Sequence, residues 1–445
     1  MKRTIFRLLT LLTSGLLLVA APSCNLDIPN PNSPSDAVVL TTRDGLLALS
    51  VGMRQYYANN TLGAVILGPG ATARELRGVS TFTSVLEIEA GTAALPNFNS
   101  YVLSVWAQLY QVMSMAEDLQ ANAPTVLSND PATRDAVLAH ANLFKAMALG
   151  TLAQYFEQAP LSTKRTGDAA FVPRAQLQAE ALRLLNEAQQ LITATPPSAE
   201  FTAKVTAGTL DLTNTINAYR ARYNLAAGNY AAAISAASAV SLTSKSAFIY
   251  NTQNPNPIYQ SIVIGKNFRP RNLFGLPAAL VNRRDARLSF YLTNPTDVVQ
   301  DALLGRDTLR SVAGFFATQT TPIPVYLPDE MRLIQAEALV RSNGDLTQAV
   351  TLINAVRTQA PSADAFGVGA NLPAYSGAVT TDALLTEIYR QRAAELFMTG
   401  LRLPDSRRLG RPAPPASLLE RTRDFYPYPQ QERLTNPNVP NDPTI

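Results

Sequence analysis

The chain has 445 residues, 47% of them apolar and 16% charged, with a formal charge of +4. A chain this long buries roughly three quarters of its unfolded surface and needs no staples to fold. Its single His and single Cys argue against Ser-His-Asp and Cys-His nucleophilic sites, each of which needs a His beside its nucleophile, and exclude Cys/His zinc sites and any disulfide framework, which need several such residues.

Met1 to Cys24 falls into three zones. Lys2, Arg3 and Arg7 form a positive start, Leu8 to Ala21 is an apolar run of 14 residues, and Ala21-Pro22-Ser23 precedes Cys24. The run is too short to cross about 30 Å of hydrocarbon as a helix. A secretory leader (1–23) ending on the only Cys resembles a bacterial lipoprotein signal, in which Cys24 becomes the acylated first residue. Several acyl chains moor a protein durably, whereas one does so only marginally. An ordinary leader with an incidental Cys is the alternative. Without residues 1–23 the basic and acidic residues number 34 and 33, and they are scattered. A nucleic-acid partner, which calls for a concentrated basic stripe, is therefore excluded. Residues 24–40, with Pro29, Pro31 and Pro34, read as a flexible tether.

Apolar spacing of three and four then predicts helices near 42–58, 101–122, 131–157, 174–195, 214–227, 230–241, 328–342, 345–359 and 382–400. Asp130-Pro131 offers an N-cap followed by Pro at the first helical position, and Pro328-Asp329-Glu330 puts acids in a first turn. Val137, Ala141, Phe144, Ala148, Leu152 and Tyr155 form one apolar stripe, which reads as core. Two helix pairs repeat at an offset of 116: Gly228 falls on Gly344, Tyr230 on Leu346, Ala233 on Ala349 and Ile234 on Val350. A glycine turn followed by a large and then a small residue resembles the second half of a tetratricopeptide repeat. Pairing 42–58 with 101–122, and 131–157 with 174–195, makes about four stacked pairs. The fold class is mostly α, in a single domain over 41–445 with helix pairs in 42–241 and 328–400. Residues 59–100 and 245–327, rich in Gly, Asn, Pro and aromatics, read as long loops on one side, where function concentrates.

Five places, in chain order, resemble the SusD/RagB family of outer-membrane nutrient-binding lipoproteins. They are the leader and tether; Tyr101-x4-Trp106-x3-Tyr110 with Ala116 and Asn122; Ala336-Glu337-Ala338 with Gly344-Asp345 and Ala349 to Arg357; Glu395 to Arg408; and Phe425 to Pro429 with Asn436-Pro437-Asn438. Thr399 stands where that family usually has Glu, and Pro404 interrupts its aromatic-Asp pattern. The resemblance implies a helical, non-enzymatic protein lipid-anchored on the extracellular face of the outer membrane. It would capture an oligomeric nutrient, glycan or peptide, and act as a lid on a SusC-type TonB-dependent barrel.

Sugar recognition uses flat apolar faces with amide and guanidinium hydrogen bonds. The only Trp, Trp106, sits at helical spacing with Tyr110 and Met113 and reads as core. Candidate ligand contacts therefore come from the two loop regions: Arg74, Phe82, Asn97, Phe98, Tyr250, Tyr259, Phe268 and Arg269, with Asn99, Asn256 and Phe274 as neighbours. No catalytic residue, metal ligand or cofactor is named. Glu395, Arg402, Asp405 and Arg408 read as structural ion pairs, and His140 as packing. Gly68-Pro69-Gly70 lacks the Lys-Ser/Thr of a phosphate loop. Two other classes stand beside this reading. One is a lipid-anchored tetratricopeptide-like adaptor for envelope assembly, distinguished by its neighbouring gene. The other is a secreted glycan hydrolase, distinguished by new reducing ends.

Overall fold

The helices begin where their capping residues place them. In a computed structural model, which describes residues 36–163, 166–301 and 303–445, Asp130 accepts the Thr133 N–H at 3.1 Å and Pro131 opens a helix that runs to Tyr155. The leader, Cys24 and the first part of the expected tether lie outside the described residues. The end of the expected tether, 36–40, is helical instead, in α1 (Asp36–Thr41).

Eight helices form a stack in which each packs on the next: α2 (Arg43–Tyr56), α5 (Ser100–Val126), α6 (Pro131–Tyr155), α7 (Arg174–Ala194), α8 (Leu212–Ala227), α9 (Tyr230–Ser238), α10 (Pro328–Arg341) and α11 (Leu346–Arg357). These are the four expected pairs. α12 (Thr381–Glu395) closes the stack against α10 and α11 around Ala336, Val340, Ala349, Ile353, Leu384 and Ile388. Small residues let the axes approach. A methyl group at Gly150 of α6 would meet the Tyr223 ring of α8 at 2.1 Å, and the Tyr223 hydroxyl donates to the Met147 carbonyl at 3.1 Å. α6 is buried on almost every side rather than along one stripe, so its length and apolarity serve the core.

The repeat differs in its turns. Gly228 has φ +81°, as a left-handed cap requires. In the second pair that conformation belongs to Asn343 (φ +53°), one residue before Gly344, and the next helix is capped by Asp345, which accepts from Thr347 and Gln348 N–H.

Three elements depart from expectation. Residues 59–100 are not mainly loop: α3 (Leu62–Thr72) is buried along its whole length, and α4 (Thr83–Ala90) follows. A helix apolar all round carries no amphipathic period, and Gly68-Pro69-Gly70 imitates a turn. Residues 245–327 contain a long hairpin, β6 (Leu292–Asp301) with β7 (Gly305–Val312). The last predicted helix stops at Glu395, not residue 400, because Met398 and Gly400 take φ of +56° and +82°. The remaining strands make short antiparallel ribbons: β1 (Leu76–Gly78) with β5 (Phe268–Pro270), β2 (Gln158–Pro160) with β3 (Phe171–Pro173), and β4 (Ala247–Phe248) with β8 (Ile323–Pro324).

Candidate ligand-binding site

The β1–β5 ribbon joins the two regions expected to carry the site. Leu76 pairs with Pro270 and Gly78 with Phe268, and Arg271 N–H continues the contact to the Glu75 carbonyl at 2.9 Å. Arg271 also bridges to Leu309 of the hairpin, so three irregular segments meet there.

Charge holds them. Arg271 Nη2 reaches Glu89 at 2.6 Å and Asp301 at 3.2 Å, and its Nη1 pairs with Asp307. Arg74 and Arg77 reach Asp301 at 3.2 and 2.6 Å. Burial works against the Asp301 anion, but the Leu303 and Leu304 N–H groups with Arg74 and Arg271 outweigh it and hold the carboxyl below its usual range. A second centre ties the loops to the stack. Arg402 donates to the Phe274 carbonyl at 3.2 Å and lies 3.7 Å from Glu75, while Asp405 binds Arg392 at 2.7 Å and Arg408 at 2.8 Å. Burial pushes Glu75 up to about 7, against the pull of Arg402 and the Met398 N–H. The four-residue set read as structural ion pairs is therefore that: Glu395 pairs with Arg287, and Arg408 also with Glu337.

Between these clamps the backbone is strained. Leu273, Phe274 and Gly275 are consecutive left-handed residues (φ +57°, +59° and +66°), and Arg74 beside them has φ +65°. A methyl group at Gly275 would lie 1.9 Å from the Arg74 carbonyl. For the non-glycine residues such conformations cost about 1–3 kcal/mol each and persist where surroundings over-determine them, often at ligand sites. Two concavities flank this segment and share Leu276 and Arg283. One, of about 550 Å³, lies between residues 274–285, the loop at 372–377 and the α12 face carrying Glu387, Arg390 and Gln391. The other, of about 410 Å³, is lined by Arg74, Asn272, Arg283, Arg306, Thr308 and Leu419 among others. Both sizes are ordinary for ligand clefts. Arg283 and Arg284 are exposed at the first, with Asn282 beside them and the Tyr375 ring opposite. Its two acids are already engaged: Asp285 with Arg287, and Glu387 with Arg357 and Arg390. A void of about 60 Å³ among Tyr57, Tyr155, Tyr219, Tyr223 and Arg222 lies inside the core.

The sequence-predicted residues separate into two groups. Arg74, Tyr250 and Phe268 are buried: Arg74 in the ion-pair centre, the Tyr250 hydroxyl donating to the Ala58 carbonyl at 3.1 Å, and Phe268 edge-on to Tyr101. Arg269 pairs with Asp297. Asn97 is half-buried and its carbonyl accepts the Gln430 N–H, and Tyr259 is half-buried at the turn into 260–264. Phe82 (64% exposed) and Phe98 (61%) stand free at the two flanks of α4, where Asn99 fastens the chain to the Ser84 carbonyl at 2.9 Å. Trp106 is core, ringed by Tyr110, Phe156, Phe171 and Tyr428. His140 is core as well, 4.8 Å from Phe144. Residues 276–285 and Tyr375 were missed. Their signal, the Asn282-Arg283-Arg284 run in a loop, is common to any solvated turn.

Comparison places this architecture among solved structures. A SusD superfamily protein from Bacteroides thetaiotaomicron aligns with a TM-score of 0.69 over 90% of this chain and 100% of its own, at 14% identity. A SusD superfamily protein from Bacteroides vulgatus gives 0.66 over 91% and 99%, at 16% identity. The fold is that of the SusD superfamily. A SusD-like carbohydrate binding protein from Bacteroides vulgatus aligns at 0.60 over 82% and 83%, with 14% identity. No family model and no curated protein matches the sequence. The SusD-type fold thus carries the helical stack on one side and the clamped loops, with their two clefts, on the other.

Proposed function

We propose that this protein is a SusD-type capture lipoprotein that binds an oligomeric nutrient, a glycan before a peptide, in the clefts along residues 271–285. The observation that carries this reading is a SusD-type fold with a strained, charge-clamped segment at 271–275 bordered by clefts of ligand size. Guanidinium planes at the exposed Arg283 and Arg284, the amide of Asn282, and the Tyr375 ring suit sugar hydroxyls and ring faces. The SusD-like carbohydrate binding neighbour supports a saccharide ligand. The protein binds and does not cleave. Acylation at Cys24 moors it to the outer membrane, facing outward, and a SusC-type TonB-dependent barrel receives the ligand beneath it as a lid.

Titration calorimetry of the purified protein against a panel of neutral and acidic oligosaccharides and peptides tests the core of this. A ligand from the panel binds, and Tyr375→Ala combined with Arg283→Ala weakens it at least about tenfold without changing Tm. Failure of the whole panel, or an unaffected double variant, overturns the site. Co-purification from detergent-solubilised membranes tests the barrel, and loss of palmitate labelling in Cys24→Ser tests the anchor.

A further inference from the structure

Three carboxylates from distant parts of the chain converge behind the larger cleft. Asp329 lies in the first turn of α10, Asp364 in the loop after α11, and Glu395 ends α12. One oxygen from each lies within 4.8 Å of the others. Asp329 and Glu395 are fully buried, and half-buried Asp364 leaves a route to solvent. Arg287 donates to Glu395 Oε2 at 3.1 Å, and Arg332 pairs with Asp329 Oδ1. The second oxygen of each, Glu395 Oε1 and Asp329 Oδ2, is buried with no hydrogen-bond partner. A buried, unsatisfied carboxylate oxygen is costly, and a native fold rarely keeps two of them side by side without a ligand. Asp364 is held in place by the Phe366 and Val368 N–H groups, both at 2.8 Å to Oδ1.

Charge is also unbalanced. Among the described residues Asp285, Asp329, Asp364 and Glu395 have Arg287 and Arg332 as their ion-pair partners, four acids to two guanidinium groups.

We propose that Asp329, Asp364 and Glu395 bind one hard divalent cation, with Ca²⁺ the best fit. Ca–O distances of 2.3–2.6 Å let two ligand oxygens stand up to about 5 Å apart around one ion, whereas Mg–O distances of 2.0–2.1 Å allow only about 4.2 Å. The three oxygens lie within 4.8 Å of one another, inside the Ca²⁺ reach, and a buried site disfavours Mg²⁺, which dehydrates reluctantly. An all-oxygen donor set disfavours Zn²⁺, which prefers nitrogen and sulfur. The two missing charges equal those of one such ion. The ion fastens the 364 loop to the ends of α10 and α12. Through Glu395 it also fixes Arg287, whose Nη2 holds Asp285 and Gln391 of the cleft wall at 2.7 Å each. That coupling to the cleft rests on the proposed function; the ion binding does not.

The full protein, stripped with EDTA and dialysed, is titrated with CaCl₂, MgCl₂ and ZnCl₂ by calorimetry, with Tm read in each. The expected result is one Ca²⁺ per chain, bound at least about tenfold more tightly than Mg²⁺, with Tm raised. Asp364→Asn removes one half-exposed ligand and is expected to weaken Ca²⁺ at least about tenfold, while the ion-free Tm stays level or rises. Glu395→Gln is expected to abolish binding. No Ca²⁺ binding by the native chain, or binding that both substitutions leave intact, overturns the proposal and leaves shared protons as the occupants. A protein that takes Ca²⁺ but no oligosaccharide or peptide sinks the proposed function and leaves the cation site standing.

Discussion

The two sides of this molecule are held together by different forces. The stack is closed mainly by apolar packing between neighbouring helices, with Ala, Gly and Leu at the contacts and the buried pair Arg222–Glu330 joining α8 to α10. The loop side joins segments 182 or more residues apart, and it does so with buried guanidinium–carboxylate pairs: Arg74 and Arg77 with Asp301, Arg271 with Glu89, and Arg402 with Glu75. Irregular segments present no continuous apolar face to one another, so directional contacts must specify how they meet. Breaking a buried ion pair is far costlier than the pair's net worth, because the abandoned charge stays buried. The loop side is thus less forgiving of substitution and more specific in its geometry.

This contrast can be broken at its strongest point first. Arg271→Ala removes the nearest partner of Glu89 and Asp307, leaves Asp301 to Arg74 and Arg77, and is expected to cost about 3 kcal/mol in denaturant unfolding. The hairpin is expected to lose amide-exchange protection while α6 keeps its own. Equal loss of protection in both regions would show that the two sides are one cooperative unit. In the stack, Gly150→Ala forces a methyl group into Tyr223 and is expected to cost about 3 kcal/mol, despite the gain in helix propensity that Ala brings.

Titration sharpens the comparison, because the two sides respond to pH in opposite senses. His140 in the stack has neither ring nitrogen hydrogen-bonded, and burial followed by the Arg54 charge lowers it to about 3. Its folded value lies below its unfolded value near 6.5. Stability is therefore present above pH 6.5 and declines as the pH falls toward 3, by about 2 kcal/mol at pH 5. Glu75 on the loop side is raised to about 7, so its contribution is greatest below about pH 4.5 and is lost as pH rises through 7. Comparing unfolding midpoints of the native chain and His140→Leu at pH 7 and pH 5 isolates the first effect. The variant is expected to be neutral or stabilising at pH 7 and to lose the His-dependent decline. The smallest expected effect is at the edge of the stack: Asp345→Ala removes an exposed N-cap and costs about 1 kcal/mol, read as a shift in the urea midpoint.

These differences explain what could be read in advance. Asp130-Pro131 and Pro328-Asp329-Glu330 marked their helices because caps act within one turn. α3 was hidden because a helix buried on all sides has no polar face to set a period. Segments 59–100 and 245–327 were expected on one side of the stack, and β1 pairs with β5 to join them. Their exposed and buried members were not distinguishable, since Phe82 and Phe268 have the same side chain and opposite environments. The cleft wall at 276–285 and Tyr375 comes from segments about ninety residues apart, with no local pattern to join them.

What the amino-acid order determined alone is the local part: helix spans, caps, the paired repeat, and the shortage of His and Cys that removes whole classes of chemistry. Tertiary structure alone decided which carboxylate meets which guanidinium, where the backbone is forced left-handed beside Arg74, and how Asp329, Asp364 and Glu395 come within 4.8 Å. Helix periodicity and capping are nearest-neighbour effects that are carried by a few adjacent residues. Charge pairing and close approach depend on distances between segments, which only the packed chain sets.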